Sequence, residues 1–169
     1  MIRVTNTSRN TTFDVEVVYS AVRATLKAHD AEPCEVSVLL TDDVDIRQLN
    51  RDYRGIDAPT DVLAFSMREG EDGEVNPKLL GDLVVSLETA SRQAATMDGL
   101  SGTYGNLETE TALLTVHGTL HLLGYDHQTQ EEAKIMFEKQ ESIFRLQEGQ
   151  THPTPVSYTH LTLPTNREV

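Results

Sequence analysis

The segment His117-Gly118-Thr119-Leu120-His121-Leu122-Leu123-Gly124-Tyr125-Asp126-His127 constrains this chain more than any other part of it. His117 and His121 are four positions apart, so on a helix their imidazoles share one face about a turn from each other and can reach one ion. Gly124 then permits a positive φ and a chain reversal, which swings His127 back toward the same point. Three neutral imidazoles at about 2.0–2.1 Å leave a fourth tetrahedral position open, the arrangement of a reactive zinc site rather than a closed structural one. The fold must therefore contain a helix that ends at Gly124 and a return loop beside it.

A lone histidine on an apolar helix face is commonly a satisfied core residue. Three of the six histidines within eleven residues at ligand spacing favour a metal centre instead. His29, at a predicted helix end, and His152 and His160 are read as surface residues. The spacing is similar to the H-E-x-x-H-x-x-G-x-x-H pattern of metzincin proteases. Gly118, however, occupies the position of their general-base glutamate, so peptide hydrolysis by that route lacks its proton acceptor.

Hydrophobic periodicity sets out the remaining elements. Ile2 to Val4 reads as a strand and Thr5 to Thr12 as a polar loop. Val15, Val18, Val22 and Leu26 recur at helical steps from Phe13 to about His29, and Pro33 follows. Glu35 to Leu40 alternates like a half-buried strand, with Cys34 a small buried residue of it. Thr41 or Asp42 is placed to cap a short helix through Ile46 and Leu49, with Asp43 and Asp45 in its first turn. Arg54 to Pro59 reads as a loop, Val62 to Met67 as a strand, and Glu69 to Pro77 as an acidic turn. Leu83 to Ser86 follows as a strand pairing with the previous one in a hairpin, and Ser86 or its neighbour caps the next helix. A glycine-containing break at Asp98 to Gly105 precedes the histidine helix, whose Leu113, Val116, Leu120 and Leu123 form one apolar stripe. A last helix from Gln130 to Leu146 presents Ile135, Met136, Ile143 and Phe144.

With 169 residues, one domain over 1–150 is expected. Residues 151–169, rich in proline and without a helical period, resemble read-through of a sequencing adapter or vector and are expected to be disordered or extraneous. No apolar run approaches the roughly 20 residues of a membrane span, and no signal segment is visible, so a cytoplasmic protein without a membrane partner is expected. A single cysteine fits a reducing compartment. The net charge of −13, from 14 basic and 27 acidic residues, argues against a broad phosphate-gripping face. Any contact with nucleic acid must be a local basic spot, or a larger assembly must present the substrate.

Read together, Leu49-Asn50-Arg51-Asp52-Tyr53-Arg54-Gly55, Pro59-Thr60-Asp61-Val62-Leu63-Ala64-Phe65, Leu80-Gly81-Asp82-Leu83-Val84-Val85-Ser86 and the histidine segment closely resemble the YbeY family of bacterial endoribonucleases and rRNA maturation factors. The four blocks stand in order, and the resemblance runs from about Ile2 to Gln150. It implies an α+β fold, with a small mixed four-stranded sheet packed against helices and a zincin-like ligand helix beside a cleft. It also implies a zinc-dependent endoribonuclease acting on single-stranded RNA, with roles in small-subunit rRNA end processing and ribosome quality control. The ribosome or its proteins are the implied partners, and no DNA substrate is expected.

By position, His117, His121 and His127 take the zinc and Arg54 matches the family's functional arginine. A guanidinium can hold the phosphate oxygens bidentately as charge builds on them. Without the resemblance, Arg54 reads as a solvated loop residue paired with Asp52 or Asp57. Asp126 is placed to orient a ligand imidazole or handle a proton. Asp61 and Asp82 are read as turn stabilisers, and Tyr125 and Phe65 as core. Two other classes remain: a zinc metallopeptidase with an unidentified base, and a non-catalytic ribosome-assembly factor whose zinc only holds the last helices together.

Overall fold

The computed structural model of the chain describes residues 1–67, 78–96 and 106–147. Among these the fold is α+β, with four strands in one mixed sheet and five helices. The elements are β1 (Ile2–Asn6), α1 (Glu16–Ala28), β2 (Glu35–Thr41), α2 (Asp43–Arg54), β3 (Val62–Ser66), β4 (Leu79–Ser86), α3 (Leu87–Thr96), α4 (Leu107–Leu122) and α5 (Gln130–Gln147). The acidic turn and the glycine-containing break expected at 69–77 and 98–105, and the tail at 151–169, lie outside the described residues.

The strand order is β1-β2-β4-β3. β1 and β2, and β2 and β4, run parallel, whereas β3 pairs antiparallel with β4 from Val62↔Val85 to Ser66↔Gly81, the expected hairpin. Alternation along the strands sorts side chains to two faces. Val36, Val38, Leu40, Val62, Ala64, Leu83 and Val85 meet Val18, Val22 and Leu26 of α1 and Leu113 and Leu114 of α4. The opposite face offers Leu63 and Val84 to Ile46 of α2, with Leu39, Leu49 and Phe65 at the margin. A second cluster joins the helices: Ala21 of α1, Val116 and Leu120 of α4, and Met136 and Ile143 of α5.

Four local expectations change. β4 begins at Leu79, ahead of the expected Leu83, so Gly81 and Asp82 lie inside the strand and Asp82 is an exposed strand residue, not a turn stabiliser. A side chain at Gly81 would meet the carbonyl of Phe65 and the side chain of Leu122, so glycine allows the end of α4 to settle on β4. On α5, Ile135 is 51% exposed while Met136, Ile143 and Phe144 are buried, so the apolar stripe excludes it. Cys34 is buried one residue ahead of β2 rather than within it.

The cap of α2 also differs. Asp42 is the N-cap residue but makes no side-chain cap bond. Its Oδ2 accepts instead from the backbone N–H of Arg9 at 2.9 Å, while Glu88 Oε1 of α3 accepts from Asp43 N at 2.8 Å. One orphan donor of the helix start is satisfied here by a tertiary neighbour. Ser86 caps α3 as expected, accepting from Thr89 N at 3.2 Å and donating to Asp43 Oδ1 at 2.6 Å. Burial alone would raise the Asp43 carboxyl, but hydrogen bonds from Ser86, Thr89 and Arg92 outweigh it and hold the group below the usual carboxylate range.

Candidate metal centre

Helix α4 carries the first two histidines. Asn106 caps it, its Oδ1 accepting from Thr109 N at 2.7 Å. The expected single stripe is not what the structure holds: every residue from Thr109 to Leu120 is buried, because the sheet, α1, α3 and α5 surround the helix. Thr115 and Thr119 tolerate this by donating to the carbonyls four residues back, each at 2.7 Å. At Gly118 a Cβ would stand 2.8 Å from Leu83 Cδ2 and 3.4 Å from Val62 Cγ2. Position 118 therefore faces the sheet with no room for a glutamate, which removes the metzincin base on steric grounds as well as by sequence.

The helix ends as the glycine required. Tyr125 N donates to Leu120 O and Gly124 N to His121 O, both at 3.0 Å, with Gly124 at φ 111°. These are the two bonds of a Schellman closure, and Tyr125 packs back toward Leu120 as such closures prefer. No atom lies within 4 Å of a Cβ added at Gly124, so glycine is needed there for backbone conformation and not for space. Asp126 Oδ1 accepts from His127 N at 2.7 Å, so its carboxylate shapes the return loop rather than bonding an imidazole.

The loop brings all three imidazoles together. Their ligand atoms lie within 4.8 Å of one another. Ring centroids are 4.9 Å apart for His117 and His121, 5.1 Å for His121 and His127, and 5.7 Å for His117 and His127. Nε2 of His121 and of His127 is buried and makes no hydrogen bond among the described residues. His117 is fully buried and its Nδ1 lies 2.8 Å from Gln140 Oε1, which leaves Nε2 as the nitrogen able to face an ion. Burial first, and the neighbouring His127 second, lower the pKa of His121 to about 4, so at neutral pH it is an uncharged lone-pair donor. The donor set fits a borderline-soft divalent ion such as zinc. Beside His121 a cavity of about 330 Å³ opens between β3 and the return loop, walled by Ala64, Phe65, Ser66, Tyr125 and Asp126.

Arg54 belongs to a different element. It is the last residue of α2, half-buried, and its Nη1 donates to Asn50 Oδ1 at 3.4 Å. Asp57 is held by Arg47 at 2.8 Å and Asp52 by Arg51 at 3.4 Å, so the two carboxylates considered for Arg54 have other cations. Asn50 is buried and also donates to Ala58 O at 2.8 Å, tying the following loop to the helix. α2 packs on the sheet face opposite α4. Its link toward the histidines is Tyr53, whose ring meets Phe65 edge to face at 5.4 Å, and Phe65 walls the cavity beside His121. Phe65 is thus half-buried at the β3 edge and not core. Asp61, 2% exposed, accepts from Val62 N at 2.8 Å and stabilises its turn as expected.

Two residues missed in the sequence belong to this centre. His29 is half-buried, not a surface residue: its Nδ1 lies 2.8 Å from Thr25 O and its Nε2 3.0 Å from the Tyr125 hydroxyl. Tyr125 is accordingly half-buried with a bonded hydroxyl. Gln140, fully buried on α5, is the second. Its signal was a lone amide at helical spacing among Met136, Phe137 and Phe144, where an apolar residue is the default.

A family model described as "Endoribonuclease YbeY" matches residues 3–147. Among curated relatives, the endoribonuclease YbeY of Pelotomaculum thermopropionicum is 52% identical over 127 residues, 73% of this chain and 79% of the relative. That of Geobacillus thermodenitrificans is 42% identical over 148 residues, 83% and 90% of the two chains. The solution structure of a Thermotoga maritima protein is similar at a TM-score of 0.61 and 25% identity, covering 93% of this chain and 99% of that one.

Proposed function

This chain belongs to the YbeY endoribonuclease family, and from that premise we propose that it is a zinc-dependent, single-strand-specific endoribonuclease of small-subunit rRNA maturation and ribosome quality control. That it is a hydrolase acting on RNA follows from the family; the metal, the strand preference and the ribosomal setting are the proposal. In this reading residues 1–150 act as one catalytic domain in the cytoplasm. No helix among the described residues is long and apolar enough to cross a membrane.

The observation that carries the metal assignment is the convergence of three imidazoles with buried ligand atoms beside an open cavity. His117, His121 and His127 hold the ion, which supplies Lewis acidity to a phosphate oxygen when bound. Arg54 binds the non-bridging oxygens and steadies the charge that grows on them. Water or the substrate's own 2′-hydroxyl attacks phosphorus, the P–O bond to the departing ribose oxygen breaks, and the proton released by the nucleophile is passed through solvent to that oxygen. The excess of acidic residues supports selectivity through a ribosomal partner, because free RNA meets a field of its own sign.

The peptidase alternative has no base at position 118 and no room for one. The test is a cleavage assay on single-stranded RNA, duplex RNA and casein, with zinc content measured in parallel. Wild type should cut single strands alone, and His117→Ala should lose both zinc and cleavage. Full-rate cleavage by zinc-free His117→Ala protein would overturn the mechanism.

A further inference from the structure

We propose that Gln140 is a positioning residue that sets the tautomer of His117 and thereby the strength of the metal site. The inference rests on the reading of the three histidines as ligands. His117 and Gln140 are both fully buried, so water does not substitute for either partner. A neutral imidazole has one N–H, and with Gln140 Oε1 at 2.8 Å from Nδ1 the proton belongs on Nδ1. Nε2 then carries the lone pair that a metal needs. The reverse amide orientation would make Gln140 the donor, move the imidazole proton to Nε2 and close the ligand atom. Amide orientation and metal binding are therefore one equilibrium.

Phe137 completes the brace. It lies three residues before Gln140 on α5, and its ring stacks over His117 at 6.1 Å and 20°. One face of α5 thus fixes both the plane and the protonation of the ring. The amide also carries a cost: Gln140 Nε2 is buried and makes no hydrogen bond among the described residues. A leucine of similar volume would avoid that cost, so packing alone does not explain a glutamine here.

The experiment uses the full chain as wild type, Gln140→Leu, Gln140→Glu and His117→Ala. Zinc affinity is measured by competition with a chromophoric chelator, and the His117 tautomer by long-range proton–nitrogen correlation spectra of the metal-free protein. Gln140→Leu should weaken zinc binding roughly 10–100-fold without lowering the melting temperature of the metal-free protein, and should move His117 toward the Nε2-protonated form. Gln140→Glu, which keeps an acceptor oxygen, should bind zinc at least as tightly as wild type. Wild-type affinity in Gln140→Leu, or an Nε2-protonated His117 in the metal-free wild type, would overturn the inference. If Gln140→Leu fails to fold, Gln140→Glu still decides, since weakening as deep as that of His117→Ala overturns the role. If wild type binds no zinc at this site, the ligand reading falls, and the tautomer spectra still report on Gln140.

Discussion

The hydroxyl of Tyr125 donates to Nε2 of His29 at 3.0 Å, joining the end of α1 to the loop that returns His127. The direction is set by chemistry: the Thr25 carbonyl accepts only, so His29 Nδ1 carries its proton and Nε2 accepts. Tyr125→Phe should therefore loosen the loop more than the fold. We expect zinc affinity to fall several-fold while stability changes by about 1 kcal/mol, read by zinc titration and urea unfolding. An unchanged affinity would detach His29 from the metal centre.

Acid should destabilise the metal-free protein through His121. Its pKa is lowered from 6.5 to about 4 in the fold, so between those values the unfolded chain binds the extra proton and the folded one does not. Stability is complete above about pH 6.5 and declines as pH falls toward 4, by at most about 3 kcal/mol from this group. Urea midpoints measured across that window should flatten in His121→Asn relative to wild type.

Gly118→Ala and Gly124→Ala should fail differently. At 118 the added methyl meets Leu83 and Val62 in a packed interior and should cost about 1–3 kcal/mol of unfolding free energy. At 124 there is space, but φ 111° strains any side chain, so the return of His127 shifts and zinc affinity falls first. Denaturation and metal titration on the two variants separate the effects.

Chelation should not unfold this protein. The two main apolar clusters are built from side chains other than the three histidines, unlike a zinc finger whose small core depends on its ion. Far-UV circular dichroism should persist after metal removal. The unfolding free energy should fall by what binding contributes, about 2.7 kcal/mol when free zinc is 100 times its Kd, and the melting temperature should fall with it. Loss of the helical signal would favour a purely structural zinc.

Arg54→Ala should lower kcat on single-stranded RNA by roughly 10²–10³-fold with little change in melting temperature, as expected for a group that acts on transition-state charge. Arg54→Lys should recover little, since a point charge does not reproduce the planar fork. A loss confined to KM would assign Arg54 to binding alone.

Much of the molecule was legible from local pattern. The 117/121 spacing and the glycine after it imply a helix, a stop and a returning imidazole, and the structure contains each. What misled was pattern read without neighbours. α4 looked amphipathic because four threonines interrupt its apolar positions, yet it is enclosed on every side, two of those hydroxyls bonding back into the helix. His29 looked exposed because nothing near it in the chain reveals Tyr125. Gly81-Asp82 looked like a turn because the approach of Leu122 is invisible from β4 alone.

By itself the amino-acid order determined which segments are helix or strand, where α4 must stop, and which three imidazoles are able to share an ion. These depend on backbone geometry and on contacts a few residues apart. Only the tertiary structure decided the order β1-β2-β4-β3, the capping of α2 by Glu88, the crowding at Gly118 and the partnership of Gln140 with His117. Each of these is made between segments distant in the chain, and packing, not periodicity, selects the side chain that arrives.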